Sequence, residues 1–420
     1  MTGTSPEGTP TEALSAAEVD PRLIVQEQGL RGYFTAFTRK VSGGELGSLP
    51  VVIGLIVIWS FLQSQNSRFL SAENLTNLSS QMVATGTISV GIVLVLLLGE
   101  IDLSVGVVSG LAGAVLVVLN VNHGMGPVQA IVLALIVGLA IGAFQGFVFT
   151  RFGVPSFVVT LAGLIGWQGV QLDVLGAKGT VNLPFDGGVA KLANTYLSSG
   201  ISWVLAILAI VGYAAAQLAE IRSRTRAGLR PRPMSELILR TAVVAASLAV
   251  AVAVLNSFQG VPLSLLIFLV FVVVFDLVIK KTTYGRHVLA VGGNEEAARR
   301  AGISVSRIRL SVFILASTMA AAGGVLAASR ALSVGQSSGG GDVLLNAIAA
   351  AVIGGTSLFG GRGSAYSALL GILVIQSISN GLDLLNKASS TKFIITGAVL
   401  LIAVIVDALA RRGRQARGRG

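Results

Sequence analysis

Cysteine is absent from the 420-residue chain, and histidine occurs only twice, at His123 and His287. These two absences exclude disulfides, thiolate metal sites, cysteine nucleophiles and a multi-histidine metal centre. Charged residues make up only 12% of the chain, whereas soluble domains carry about a quarter. Hydrophobic residues make up 53%, which is too many for a disordered chain. The composition therefore indicates a membrane protein.

Motifs of nucleotide hydrolysis and of common hydrolases are also missing. The sequence has no P-loop of the form G-x-x-x-x-G-K-[ST], no HExxH and no GxSxG. We therefore expect no catalytic residues, no metal and no cofactor in this chain, and no hydrolysis of ATP by it. This pattern is typical of a protein that is not an enzyme.

The sequence instead has a series of apolar runs. A helix needs about 20 apolar residues to cross the ~30 Å hydrocarbon core of a bilayer. We predict an all-α polytopic membrane protein with about 10–12 transmembrane helices, the lower count applying if short runs are re-entrant. The runs lie at about 49–63, 80–98, 103–120, 127–149, 154–175, 201–219, 237–255, 263–279, 309–328, 343–358, 365–380 and 392–410.

The two flanks differ from this region. Residues 1–48 are polar and rich in Gly, Ser and Thr, without a secretory signal, and we expect them to form a disordered cytoplasmic extension. Residues 49–410 form the predicted transmembrane domain. Residues 411–420 form a predicted basic cytoplasmic tail.

Basic residues are distributed unevenly between the two sides of the predicted bundle. With the N-terminus inside and the runs alternating in direction, six basic residues fall outside and the other 24 of the 30 fall inside. Basic loops stay cytoplasmic, so we expect both termini and the loop 280–308 in the cytoplasm, and the loop 176–200 outside the cell membrane. The net charge of +11 then reflects topology and contact with membrane lipid, and not nucleic acid. The six outer residues are Arg68, Lys178, Lys191, Arg330, Lys387 and Lys392.

Two carboxylates, Glu100 and Asp102, interrupt an otherwise apolar stretch. A charge at membrane depth costs at least ~2.5–3.5 kcal/mol, so such residues are usually functional, paired or interfacial. Three interpretations are open: a turn in which Asp102 or Ser104 caps the next helix, a part of the translocation path or gate, or a cation site. Gln168 and Gln171 are further candidates for a polar path.

Small residues recur at a spacing of four, at Gly106 and Gly110 and at Gly138, Gly142 and Gly146. Such ridges let helix backbones approach closely in lipid. We expect helix packing at both ridges, and the alternative is a flexible gate.

A short charged helix is predicted within the loop 280–308. Asn294 is a good N-cap, the pair Glu295–Glu296 suits a first turn, and the pair Arg299–Arg300 suits a last turn. Gly302 suits the position after the helix. Two interpretations are open: a solvated surface helix, or a rigid element that docks in a groove of a partner.

Three blocks of the sequence resemble those of a known family. The block Glu100–Gly106 is similar to Gly-Ile-Asp-Leu-Ser-Val-Gly, with Glu100 in place of a glycine. Tyr284–Ile303 is similar to a Gly-Arg…Gly-Gly-Asn-Glu-x-Ala-x-Arg-x-x-Gly-Ile loop, and Ala347–Gly363 to a block that ends in Gly-Gly-Thr-Ser-Leu-x-Gly-Gly-x-Gly. The chain thus resembles the permease subunits of ABC importers for ribose, galactose, arabinose and xylose. An insertion at about 201–260, together with Glu100, makes it most like the D-xylose branch.

The resemblance implies the permease fold of an ABC importer that moves a monosaccharide, D-xylose or a similar pentose, into the cytoplasm. It implies three partners: a cytoplasmic ATPase that binds the ATP, an extracytoplasmic sugar-binding protein, and a second copy of the permease. The short helix would then couple the permease to the ATPase. Its coupling residues would be Asn294, Glu295, Glu296, Ala297, Ala298 and Gly302.

Two other classes of protein are open at this point. A secondary transporter driven by H⁺ or Na⁺ needs intramembrane acids in paired repeats. Asp276 and Asp407 lie near the ends of runs, but no inverted pair of broken helices is evident. A membrane scaffold without transport would not need Glu100 and Asp102.

Overall fold

The computed structural model describes residues 49–229 and 233–415. The predicted disordered extension, residues 1–48, lies outside the described residues, and so do residues 416–420 of the predicted basic tail. The last described helix continues past residue 410, the predicted end of the transmembrane domain, to Gln415.

The described residues are almost entirely helical. The helices are α1 (Leu49–Gln65), α2 (Ala72–Gln81), α3 (Val83–Leu97), α4 (Val105–Val117), α5 (Pro127–Phe152), α6 (Ser156–Leu175), α7 (Lys191–Asn194), α8 (Ser199–Arg226), α9 (Met234–Asn256), α10 (Leu263–Lys281), α11 (Thr283–Gly293), α12 (Glu295–Arg300), α13 (Val305–Ala331), α14 (Gly341–Ile353), α15 (Ala365–Leu384) and α16 (Ser389–Gln415). A π-helical turn (Val118–Asn122) extends α4, and a 3₁₀ turn (Gly176–Lys178) extends α6. Four short strands are β1 (Thr180–Asn182), β2 (Tyr196–Leu197), β3 (Val261–Pro262) and β4 (Ser333–Gly335).

Every predicted apolar run corresponds to a helix. Within the described ranges, eight helices are long and apolar enough to cross a membrane: α4 with its π turn, α5, α6, α8, α9, α10, α13 and α15. The pair α2 and α3 makes a ninth candidate, bent by 43°. The shorter apolar helices are α1, α14 and the first part of α16. The predicted runs that are not among these candidates correspond to the shorter helices. The chain is therefore an all-α, multi-pass membrane protein.

The described residues fall into two compact units. The smaller unit lies within Ala209–Ala246 and contains the adjoining ends of α8 and α9. Two ion pairs lie along these helices, Glu220–Arg224 at 3.4 Å and Glu236–Arg240 at 2.5 Å. The larger unit comprises the described residues 49–208 and 247–415, and it contains every site discussed below.

Helix α3 is the centre of the larger unit. Every residue from Gly86 to Leu98 is buried, and α13 packs lengthwise against α3, α4 and α5. A helix that is apolar on all sides can face either lipid or other helices, and the burial of α3 places it among other helices.

The glycine ridge of α5 explains how closely α13 approaches. A methyl group on Gly138 would lie 2.7 Å from the carbonyl oxygen of Ser317, and one on Gly146 would lie 2.9 Å from Leu310 Cδ1. Gly142 faces the backbone of α13 in the same way. The predicted helix packing is confirmed for this ridge.

The larger unit has two ends of different construction. At the strand end, β1 pairs with β4 and β2 pairs with β3, both antiparallel. At the junction end, the loops that follow α3, α5, α10 and α14 meet. The charge distribution predicts that these four loops share one side of the membrane, and the structure groups them in that way. Which end faces the cytoplasm stays a prediction.

Candidate functional site

Three glycine-containing segments meet backbone to backbone at the junction end. They are Leu97–Gly99 at the end of α3, Gly292–Gly293 at the end of α11, and Gly360–Gly361 after α14, and together we call them the glycine joint. The N–H of Gly361 donates to the carbonyl of Leu97 at 2.8 Å. Each segment lies in or beside one of the three blocks that carry the family resemblance. The fold therefore brings those blocks together.

Gly292 leaves no room for a side chain within the joint. A methyl group there would overlap the carbonyl oxygen of Leu97 and would lie 2.8 Å from the nitrogen of Gly361. The neighbouring Gly293 has open space at the same position. The joint thus fixes the spacing of α3, α11 and the loop after α14 through Gly292.

The break between α3 and α4 is an irregular segment, Leu98–Ser104, in which Asp102 and Ser104 are buried. Asp102 Oδ1 accepts hydrogen bonds from the backbone N–H of Ser104 at 2.8 Å and from its hydroxyl at 2.7 Å. Asp102 therefore holds Ser104, the residue directly before α4. Neither predicted cap is present: Ser104 precedes α4 without a side-chain capping bond and donates to Asp102 instead, and both hydrogen bonds of Asp102 go to Ser104 and not to the first turn of α4.

Helix α6 holds this segment through two buried hydroxyl groups. Ser156 Oγ donates to Glu100 Oε2 at 2.7 Å. Thr160 Oγ1 accepts from the N–H of Leu103 at 3.1 Å. Sequence reasoning missed both hydroxyl residues. The sequence does contain a pattern that indicates them: Ser156 and Thr160 are four residues apart, so they lie on one face of a helix that starts on the same side of the membrane as Glu100.

A buried polar cluster lies behind Ser104. Ser104 Oγ is 3.1 Å from Gln145 Oε1 on α5, but its single proton is already directed to Asp102. Gln145 Nε2 and Trp167 Nε1 have no hydrogen-bond partner among the described residues, and both lie beside Gly163. With its amide in the opposite orientation, Gln145 donates to Ser104 and turns its oxygen toward the side on which Trp167 lies. The break is thereby connected to α5 as well as to α6.

Helix α12 has the ends that the sequence predicts. Asn294 Oδ1 accepts from the N–H of Ala297 at 2.9 Å, and Gly302 follows the helix with φ +82°. Ala298 is buried and seats the helix on the larger unit, whereas Ala297 is exposed. The pair Glu296–Arg300 is 74% and 79% exposed. This short helix therefore presents a charged, accessible face.

Arg309, the fifth residue of α13, joins α12 to the break. Its Nη1 and Nη2 contact Glu295 Oε1 and Oε2 at 3.0 and 2.9 Å, and Nη2 also lies 2.8 Å from Glu100 Oε1. The guanidinium lies 5.0 Å from the centre of the Phe149 ring. Glu100 is therefore a paired carboxylate.

Gln168 and Gln171 lie elsewhere, at an open pocket of about 120 Å³ between the starts of α4 and α14. Gln171 is buried, and its Nε2 donates to the carbonyls of Gly335 and Ser338 at 3.2 and 3.0 Å. Gln168 is exposed and lines the pocket. The other polar side chains of the lining are Gln336, Ser337 and Ser338.

The ridge of Gly106 and Gly110 borders this pocket. The nearest groups to these glycines include the carbonyl oxygens of Gly339 and Ser338, in the loop before α14. The expected helix packing is therefore only partly right here, because the ridge admits a loop as well as the first turn of α14.

The structure thus divides the predicted path residues into two groups. Glu100, Asp102 and Ser104 lie at or near the junction end, and Glu100 is joined to the coupling residue Glu295 through Arg309. Gln168 and Gln171 belong to the pocket. Arg309 was missed as a site residue. The sequence does contain a pattern that indicates Arg309: it is a basic residue at the edge of an apolar run, on the same side of the membrane as Glu100.

Helices broken around a binding site are a feature of membrane transport proteins, and the break between α3 and α4 and the pocket beside the short helix α14 are features of that class. Residues 74–404 match the family described as branched-chain amino acid transport system / permease component. The chain belongs to this family.

Individual relatives are transport permeases for sugars. The xylose transport system permease protein XylH of Escherichia coli K12 is 34% identical over 85% of this chain and 90% of its own length. XylH of Haemophilus influenzae is 34% identical over 85% and 95%. The ribose import permease protein RbsC of Bacillus subtilis is 29% identical over 87% and 94%. No solved structure matches the chain.

The alternative of an ion-driven secondary transporter receives no support. Of the two acids noted for it, Asp276 pairs with Lys280 at 2.9 Å and accepts from Ser364 Oγ at 2.7 Å. The side chain of Asp407 lies outside the described residues.

Proposed function

We propose that this chain is the membrane-spanning permease subunit of an ATP-binding cassette importer for a monosaccharide, with D-xylose or a similar pentose as the first candidate. The xylose permeases are 34% identical to this chain and the ribose permeases 28–30%, which favours xylose. The family description names branched-chain amino acids, so the substrate class needs a direct test.

The observation that carries the ATP-coupled mechanism is helix α12. A capped helix with an exposed charged face is suited to a groove in a partner, and its joining to Glu100 gives the docked partner a contact with the break. In this proposal the junction end faces the cytoplasm and receives the ATPase, which binds the ATP. Both termini are cytoplasmic, and an extracytoplasmic sugar-binding protein delivers its ligand at the strand end.

The pocket between α4 and α14 is the proposed path for the sugar. Helix α14 has 13 residues and is about 20 Å long at 1.5 Å per residue, which is shorter than the ~30 Å hydrocarbon core. It therefore cannot cross the core on its own, and its first residue, Gly341, lines the pocket. Among the described residues that line the pocket none is charged. Amide, hydroxyl and backbone groups suit a neutral polyol better than an amino acid with two charges.

A second copy of the chain is the proposed neighbour of α6. Gly166 and Gly169 have open space beside them. Small residues on a spanning helix let the backbone of another helix approach closely in lipid. Two facing copies of α6 would use these positions, with membrane lipid around the dimer.

The test is reconstitution in liposomes of the chain with the ATPase subunit that co-purifies with it. Uptake of D-xylose, D-ribose and L-leucine is measured with the sugar-binding protein present, under ATP or under a Na⁺ or H⁺ gradient. We expect uptake of D-xylose that requires ATP. Uptake driven by a gradient without ATP would favour a secondary transporter, and uptake of leucine alone would overturn the sugar assignment.

A further inference from the structure

We propose that Arg309 is the positioning residue that transmits movement of α12 to the break between α3 and α4 and to α6. The proposal rests on the proposed function and adds to it the connection between the ATPase-docking helix and the path.

A continuous series of polar contacts supports the connection. Both oxygens of Glu295, the first residue of α12, contact Arg309 within 3.0 Å. Arg309 reaches Glu100 at 2.8 Å, and Ser156 at the start of α6 donates to Glu100 at 2.7 Å. No contact in the series exceeds 3.0 Å. A displacement of α12 must therefore move Glu100 and α6, or break one of these contacts.

The chemistry of the link requires arginine. A guanidinium presents a rigid fork of donors and can bind two carboxylates at once, whereas a lysine ammonium is a compact charge on a flexible stem. Arg309 uses one nitrogen, Nη2, for both Glu295 and Glu100, and the ring of Phe149 lies 5.0 Å from the guanidinium. The side chain has little freedom to follow one carboxylate without the other.

The path continues from α6 to the pocket. Helix α6 carries Ser156 at its start and Gln168 and Gln171 at the pocket. The break also leads through Ser104 into α4, whose first turn contributes Gly106 to the pocket lining. Glu100 stands where the resembled motif has glycine, so the glycine form of the motif lacks the carboxylate of this link.

The experiment compares Arg309→Gln with the matched control Arg307→Gln, which removes the same charge from an exposed position on the same helix. D-xylose uptake and ATP hydrolysis are measured in the same liposomes. We expect Arg309→Gln to keep the co-purifying ATPase and its hydrolysis while the ratio of sugar moved to ATP hydrolysed falls about tenfold, within the usual range for coupling between two sites. Arg307→Gln should keep the wild-type ratio. Adding Glu100→Gln to Arg309→Gln should cause no further fall, because both changes break one link.

A second measurement does not depend on the sugar. The chain has no cysteine, so Ile101→Cys, at a 44% exposed position beside Glu100, gives a single reactive thiol. Its labelling rate should change on addition of ATP in the otherwise unaltered chain and should not change in the Arg309→Gln background. Labelling that responds to ATP in a complex that moves no sugar would contradict the proposed substrate and leave the link standing.

Three results would overturn the link: an unchanged transport ratio in Arg309→Gln, an equal fall in Arg307→Gln, or an ATP-dependent labelling change that persists without Arg309. Loss of the ATPase from Arg309→Gln would assign the residue a structural role only. If Arg309→Gln does not reach the membrane, Glu100→Gln removes one arm of the link and is compared in the same way. Arg309→Lys should give an intermediate ratio, because it keeps the charge and loses the fork.

Discussion

At the scale of single residues, Gly302 matters for its backbone conformation and not for its size. Its φ is +82°, and nothing lies within 4 Å of a methyl group built there. A β-branched residue pays about 1–2 kcal/mol or more in this region, whereas asparagine visits it readily. We expect Gly302→Val to lower uptake about five- to thirtyfold, by the equilibrium factor for that free energy, and Gly302→Asn to keep most of it. Uptake at matched membrane levels checks this, and equal activity of the two variants would contradict it.

Gly292 and Gly293 are neighbours in the chain, but only Gly292 lacks room for a side chain. A methyl group on Gly292 would overlap the carbonyl of Leu97, whereas Gly293 has open space. Overpacking typically costs about 1–3 kcal/mol, so Gly292→Ala should lower the thermal unfolding midpoint of the purified chain. Gly293→Ala should leave that midpoint nearly unchanged. A Gly292→Ala variant with the unaltered midpoint would mean that the glycine joint is not closed in this way.

At the scale of elements, the start of α4 depends on one carboxylate oxygen of Asp102. Asp102 Oδ1 accepts both hydrogen bonds from Ser104, whereas Oδ2 has no partner among the described residues. Asparagine keeps the accepting oxygen and alanine removes it. Asp102→Ala should therefore destabilise the chain by about 1–3 kcal/mol, because it removes two hydrogen bonds worth about 0.5–1.5 kcal/mol each, and Asp102→Asn much less. Thermal unfolding of both variants in detergent measures the difference, and equal destabilisation would show that the charge matters instead.

Gln168 and Gln171, two neighbouring glutamines of α6, have different roles at the pocket. Gln171 holds the loop before α14 through two hydrogen bonds, whereas Gln168 is exposed in the lining. Gln168→Leu should raise the KM for the transported sugar with little change in stability. Gln171→Leu should lower stability, since each lost hydrogen bond is worth about 0.5–1.5 kcal/mol. If Gln168→Leu left KM unaltered, the sugar would take another path.

The elements also show which features the sequence alone can predict. The caps of α12 were predictable because Asn294 and Gly302 act within a few residues of the helix that they delimit. The apolar runs predicted the helices for the same local reason. The contact of Arg309 with Glu100 was not predictable: charge distribution places both on one side of the membrane, but the choice of partner among many basic residues depends on how α3, α6 and α13 pack. The glycine ridge at Gly106 likewise gave no sign that its neighbour includes a loop.

At the scale of the whole molecule, the orientation rests on the distribution of charge. Ser304 and Ser199 are exposed, neither side chain makes a capping bond that the structure records, and the chain has no cysteine to interfere. In intact cells an impermeant thiol reagent should label Ser199→Cys and not Ser304→Cys. Both should be labelled after the membrane is permeabilised. The reverse pattern in intact cells would invert the topology and place α12 away from a cytoplasmic ATPase.

The pairing of Glu100 with Arg309 also affects how the protein is made. About 200 residues separate the two, and at 5–20 residues per second the ribosome needs about 10–40 s to synthesise that length. During this interval Glu100 lacks Arg309, the partner that it has in the folded chain, and an unpaired charge within the bilayer is costly. We therefore expect the segment between α3 and α4 to stay near the lipid headgroups until α13 enters the bilayer, so that this end of the bundle closes late in translation.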